Sequence, residues 1–186
     1  NIVMYTVGNV GGSILYTSIA KVIARATTDK CDVLSISWAF NESLTFRTDI
    51  EPYMANAVAN GVTILAASGD KGSAYHVSGN TRGVSWPAVS PSVVAVGGTE
   101  LTLWPNNKIN TETVSVHSGG GISTIFSVPS WQTGLTANLF FTNGYSQVST
   151  ITGRGVPDIS APYQYYPTWF NGNVEYVVGT SAACPI

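Results

Sequence analysis

Apolar positions along this chain alternate between two periods. Ile2-Val3-Met4-Tyr5-Thr6-Val7 is a continuous apolar, β-branched run, the pattern of a strand covered on both faces. After Gly11-Gly12, Ser13 is placed to cap a helix, and Leu15, Ile19, Val22, Ile23 and Ala26 recur at three-to-four spacing as one apolar stripe. Residues 32–38 read as strand again. Phe46, Ile50, Met54, Ala57 and Val58 predict a second helix that stops at Asn60-Gly61, where a glycine can take the left-handed turn. Residues 62–66 and 93–96 predict two more strands. Short alternating pieces at 101–104 and 113–116 flank Asn106-Asn107 and predict a hairpin-like excursion. A last buried strand over 174–178 runs into Gly179-Thr180-Ser181.

Strand–helix–strand repetition implies parallel strands joined by helical crossovers. The expected fold is therefore α/β: a doubly wound, mainly parallel sheet in a single domain over residues 1–186. It reads as incomplete at both ends, since the chain opens at Asn1 directly into a strand and closes at Cys184-Pro185-Ile186. Composition narrows the partners. With 44% hydrophobic and 10% charged residues the chain is not disordered, and no apolar run reaches the roughly 18 residues that span a membrane. A net charge of −2 without charge blocks excludes nucleic acid and acidic lipid as expected partners. So few carboxylates suit a protein that tolerates acid. Cys31 and Cys184 allow a single bridge or two buried thiols, and their spacing matches no metal site.

Ligands and catalysis gather at the carboxyl ends of the strands in such sheets. Three of those ends carry chemistry: Ser37-Trp38-Ala39, Ser68-Gly69-Asp70 and Gly179-Thr180-Ser181. A serine at a strand-to-helix turn can act as a nucleophile where backbone N–H groups hold a developing oxyanion, or it or Thr180 can simply cap the helix. Asp70, between Gly69 and Gly72, fits a turn equally well. His76 and His117 sit in Ser- and Gly-rich loops and read as solvated. No phosphate-binding loop and no His-Glu-x-x-His zinc motif occurs. Asn41-Glu42-Ser43 is the only N-glycosylation sequon, which makes Asn41 a candidate if the protein is secreted.

Taken together these segments resemble one family. Gly179-Thr180-Ser181-Ala182-Ala183-Cys184-Pro185 is similar to the Gly-Thr-Ser-x-x-x-Pro segment of the subtilisin clan. Ser35-Ile36-Ser37-Trp38, Ala66-Ala67-Ser68-Gly69-Asp70, Trp86-Pro87-Ala88-Val89-Ser90-Pro91, Gly119-Gly120-Gly121 with Pro129-x-Trp131-Gln132, and Arg154-Gly155-Val156-Pro157-Asp158 follow in the order of its sedolisin branch, the serine-carboxyl peptidases that include tripeptidyl peptidases.

The resemblance implies a secreted or acid-compartment peptidase acting on peptide or protein substrates at acid pH. Ser181 would be its nucleophile and Asp70, in protonated form, its oxyanion donor, because a carboxylic acid can donate a hydrogen bond and a carboxylate cannot. Ser37, Trp38 and Ala39 would line the substrate cleft. The family has Gly where Ala39 stands. It also implies what other sequence would supply. None of the ten Asp and Glu residues stands before the first strand, where the family's Glu base and its orienting Asp lie. The family calcium site would fall beyond Ile186, so no cofactor is expected within this chain, and N- and C-terminal segments of the same protein are expected partners. Asp158 reads as structural. Two alternatives follow: a non-catalytic module that binds peptide or sugar on the same scaffold, and an ordinary subtilisin relative, which Asp70 disfavours.

Overall fold

A computed structural model of the chain describes residues 2–7, 9–10, 13–14, 16–73, 83–140 and 146–186. Its centre is a five-stranded sheet of β1 (Val33–Ile36), β2 (Thr63–Ala67), β3 (Val94–Leu103), β4 (Ile109–Val114) and β5 (Ile159–Pro162). The spatial order β5-β3-β2-β1 is parallel at every junction, and β4 pairs antiparallel with the outer half of β3. The expected mainly parallel α/β architecture is what the chain forms. The β3–β4 hairpin turns at Asn106-Asn107, with Asn107 at φ 61° and the Asn106 side chain accepting from the Lys108 N–H.

Alternation along β2 splits the core between the two faces of the sheet. Ile64 and Ala66 join Ile19 and Ile23 of α1 (Tyr16–Thr28) and Met54 and Ala57 of α2 (Glu51–Ala59). Leu65 and Ala67 face the other way, onto Ala183 and Cys184 of α3 (Thr180–Ala183) and its following residue. The predicted stripe of the second helix starts in a π-helical turn, Phe46–Ile50, that feeds α2 at Pro52, a residue suited to a helix's first turn. Phe46, Ile50, Met54 and Ala57 are buried, whereas Val58 lies one position off the stripe and is exposed. Gly61, at φ 88°, closes the helix through its N–H to the Val58 carbonyl. Among the described residues no helix is long and apolar enough to cross a membrane.

Three expectations need correction. Residues 2–7 do not form a strand; Ile2, Val3 and Met4 are exposed, and the segment is held through Tyr5, whose hydroxyl donates to Asp29 Oδ2 at 2.9 Å and lies 3.2 Å from Cys31 Sγ. Apolar patterning reports capacity for burial, but a strand also needs a ladder partner, and among the described residues β1 pairs only with β2. Ser13 belongs to a short strand, Ser13–Ile14, paired with Asn9–Val10, so it does not cap α1; Leu15 lies outside the described residues.

The last strand, Asn173–Val177, is not buried. It pairs with Tyr166–Phe170 across the two-residue loop Asn171-Gly172, both at positive φ (48° and 80°), as a tight hairpin requires. Trp169, Tyr176 and Val178 are exposed there.

Arg154 and Asp158 lock β5 to β3. Arg154 is fully buried and reaches Asp158 through Nη1 at 2.7 Å and Nη2 at 2.5 Å; Asp158 Oδ2 also accepts the Ala95 N–H at 2.8 Å. Gln132 donates to Asp158 Oδ1 and to the Gly155 carbonyl. Asp158 is thereby structural, and Asp158→Asn strands a buried guanidinium. We expect a loss of about 3 kcal/mol, at the low end for a broken buried pair because Asp158 is partly exposed. Urea unfolding measures it; a change under about 1 kcal/mol would show that the pair holds little of the fold together.

Candidate active site

The loops that leave the carboxyl ends of β1 and β2 meet the start of α3. Ser37, exposed, and Trp38 and Ala39, half-buried, follow β1; Ser68-Gly69-Asp70 follows β2. Thr180 and Ser181 open α3 behind Gly179, which sits at φ 127°. The sheet thus gathers the candidates that its parallel topology predicts should share one edge.

Close packing fixes the Asp70 loop. The Ser68 N–H donates to the Val96 carbonyl at 2.9 Å, the Ser85 hydroxyl donates to the Ser68 carbonyl at 2.9 Å, and the Gly119 N–H donates to the Gly69 carbonyl at 2.7 Å. A Cβ on Gly119 would stand 2.2 Å from the Ser68 carbonyl oxygen, so only glycine allows this approach. Beyond Asp70, the Gly72 N–H donates to the His117 carbonyl at 2.8 Å.

Asp70 is joined to the residue before the candidate nucleophile. Its Oδ1 accepts the Thr180 N–H at 2.7 Å and the Thr180 hydroxyl at 2.9 Å. That hydroxyl also accepts the Gly69 N–H at 3.1 Å. Thr180 therefore does not cap α3; its side chain turns across 110 residues of sequence to the β2 loop. Ser181 and Ser37 are cross-linked, each hydroxyl donating to the other's carbonyl at 3.3 Å.

The tyrosine after β5 completes the surroundings. Tyr163 packs against Gly98, and its carbonyl accepts the Gly179 N–H at 2.8 Å. Burial first, then the Asp70 and Glu100 charges, push its phenol above the ordinary tyrosine range. The exposed His117 ring stacks on it at 6.0 Å; His76 lies outside the described residues.

Trp38 is anchored in an aromatic cluster. Its ring is 5.7 Å from Phe40 and 6.0 Å from Trp86, and Trp86 stacks face to face on Phe46 at 4.2 Å. Downstream, Glu42 accepts the Thr124 N–H and hydroxyl, each at 3.0 Å, and a short bond from the Ser123 hydroxyl. This ties the Trp38 loop to the glycine segment that holds Asp70. Sequence reasoning missed the tie, because nothing local marks a glutamate 81 residues from its partner.

Asn41, in the sequon, is exposed beside this loop, in a two-residue strand paired with Ser85–Trp86. Cys31 and Cys184 are both free; Cys184 is buried behind Ser35, and burial raises its thiol. Among the described residues no three His, Cys, Asp or Glu side chains converge as a metal group. A cleft of about 650 Å³, walled by Ile122, Leu135, Ile151 and Val156, lies beyond Gly120 and does not include Ser181 or Asp70 in its lining.

The subtilase family profile matches residues 1–186. Kumamolisin from a Bacillus species is 35% identical over 171 residues, covering 86% of this chain and 30% of the relative. Bovine tripeptidyl-peptidase 1 is 34% identical over 152 residues, covering 77% of this chain and 26% of the relative. The chain thus spans under a third of the length of these relatives. In structure it is similar to Pseudomonas sedolisin, a serine-carboxyl proteinase solved with two molecules of pseudo-iodotyrostatin; the TM-score is 0.74 at 28% identity, over 94% of this chain and 50% of that one. On these matches the chain belongs to the subtilase family of serine peptidases, on its sedolisin branch.

Proposed function

We propose that this chain carries the nucleophile and the oxyanion donor of an acid-active peptidase that cleaves peptide or protein substrates. The observation that supports this most is the junction of Asp70 with Thr180, which brings a carboxyl group to the residue preceding Ser181. Ser181 Oγ attacks the peptide carbonyl carbon, forming a C–O bond as the carbonyl electron pair moves onto oxygen. Its proton passes to a general base, the glutamate that the resemblance places in sequence upstream of Ile2. The carbonyl oxygen, now negative, takes a hydrogen bond from the protonated Asp70. The tetrahedral adduct collapses with cleavage of the C–N bond, the amine leaving with the proton, and water then hydrolyses the acyl-serine by the same steps.

The backbone at Ser37, Trp38 and Ala39 runs on from β1 and would be the edge along which a peptide lies. Trp38, held by Phe40 and Trp86, forms a rigid wall there. The Ser181 hydroxyl rests on the Ser37 carbonyl, and it must leave that acceptor for its base when substrate arrives. A protein secreted or held in an acidic compartment, possessing the implied calcium site in sequence beyond Ile186, is the setting this chemistry needs.

The test is cleavage of a peptide library by the protein as its gene encodes it, read by mass spectrometry from pH 3 to 8. Turnover that peaks in acid and fades towards neutrality is expected. Peptide binding without cleavage at any pH would replace this reading with a binding module, and an optimum near neutrality would point to histidine-based chemistry.

A further inference from the structure

A carboxylic acid can serve an oxyanion only if its proton sits on the oxygen that faces the substrate. Nothing in Asp70 itself decides which oxygen that is. Its surroundings do.

Thr180 is fully buried, and its hydroxyl has one proton to give. The Gly69 N–H points at the hydroxyl oxygen from 3.1 Å, so that oxygen is already an acceptor. Asp70 Oδ1, 2.9 Å away, is the acceptor for the hydroxyl proton. Were Oδ1 to carry a proton directed at Thr180, the threonine proton would be a buried donor with no partner, a costly arrangement. The Thr180 N–H, also directed at Oδ1 from 2.7 Å, makes that oxygen an acceptor twice over.

Oδ2 is the opposite case. It has no hydrogen-bond partner among the described residues, and it faces Gly179, where a Cβ would come within 3.1 Å of it. The glycine, at φ 127°, leaves this side of the carboxyl uncovered. One oxygen is saturated and the other is bare.

We infer that Thr180 is the positioning residue that holds Asp70 Oδ1 as an acceptor and so directs the catalytic proton to Oδ2. This rests on the reading of Asp70 as oxyanion donor and adds what makes that donor directional.

The experiment compares wild type, Thr180→Val, Thr180→Ser and Asp70→Ala, each as the gene-encoded protein, by pH-dependent steady-state kinetics and thermal unfolding. Thr180→Val, which keeps the shape without the hydroxyl, is expected to lower kcat about 10- to 100-fold, as misorientation at a reacting centre does. KM is expected to stay within about twofold, because the interaction is made only in the transition state. Thr180→Ser should restore most of kcat. In the Asp70→Ala background the valine substitution should cost nothing further.

Each failure has its own meaning. A Thr180→Val enzyme with wild-type kcat overturns the inference, as does a serine variant as impaired as the valine one. A valine penalty that persists without Asp70, or that follows a lowered unfolding temperature, assigns Thr180 to folding. If Asp70→Ala retains full activity, or wild type turns over no peptide, the oxyanion reading falls and this inference falls with it.

Discussion

Ser181→Ala is expected to abolish peptide cleavage, lowering kcat by roughly 10⁵- to 10⁶-fold, the scale on which a serine peptidase loses rate without its nucleophile. The methyl group of alanine cannot form the acyl bond, and no neighbouring hydroxyl replaces it. Ser37 is the nearest candidate, but its own hydroxyl is directed at the Ser181 carbonyl. Folding should be unaffected. Among the described residues Ser181 makes one side-chain hydrogen bond, a 3.3 Å contact to the Ser37 carbonyl at a half-buried position, and losing such a bond costs at most about 1 kcal/mol. Peptide binding should survive as well, since the Ser37 carbonyl is then released for a substrate N–H. The measurement is single-turnover cleavage beside binding of the same peptide by calorimetry. Residual turnover above one part in about a thousand would move the nucleophile elsewhere in the molecule.

What the sequence disclosed and what it hid follow a physical division. Local periodicity found α1, α2, β1, β2 and the start of β3, because burial of one helical stripe or of a strand face leaves its mark residue by residue. Asn106-Asn107 marked one hairpin, and the stop at Asn60-Gly61 reflects the same left-handed geometry. Asn171-Gly172 is a still stronger turn signal, and the valines of residues 174–178, taken without it, read as a buried strand. The Asn-Gly loop sends that strand back along Tyr166–Phe170, and its apolar side chains face outward. Residues 2–7 show the converse: an apolar run without a ladder partner.

At the site, the residue types of Ser181 and Asp70 were legible, and their order matched a family. Their connection was not. Thr180 reads locally as a helix cap, and only the fold brings it to a carboxyl group 110 residues away. The Arg154–Asp158 pair was visible as a motif, but its purpose depends on Ala95 and Gln132, which no spacing rule ties to it.

Substitutions at Asp70 separate the donor from its charge. Asp70→Ala removes the donor, and kcat is expected to fall about 10²- to 10³-fold with little change in KM, as when an oxyanion donor is deleted. Asp70→Asn is the sharper test. Its amide oxygen can accept both Thr180 donors in place of Oδ1, and its NH₂ group then occupies the Oδ2 position with a proton that does not titrate. In wild type, rising pH turns the acid into a carboxylate, which cannot donate and repels a negative oxygen, so activity is lost on the alkaline side. In Asp70→Asn that loss should disappear or move to higher pH, while the acid limb, which belongs to the ionised base, stays in place. The variant should keep more activity than Asp70→Ala at every pH and surpass wild type where the wild-type carboxyl has ionised. The readout is the pair of pH–kcat profiles on one peptide. An asparagine enzyme with the wild-type alkaline limb would show that another group's proton sets it, and Asp70 would then be an anchor for Thr180 instead of the group that steadies the oxyanion.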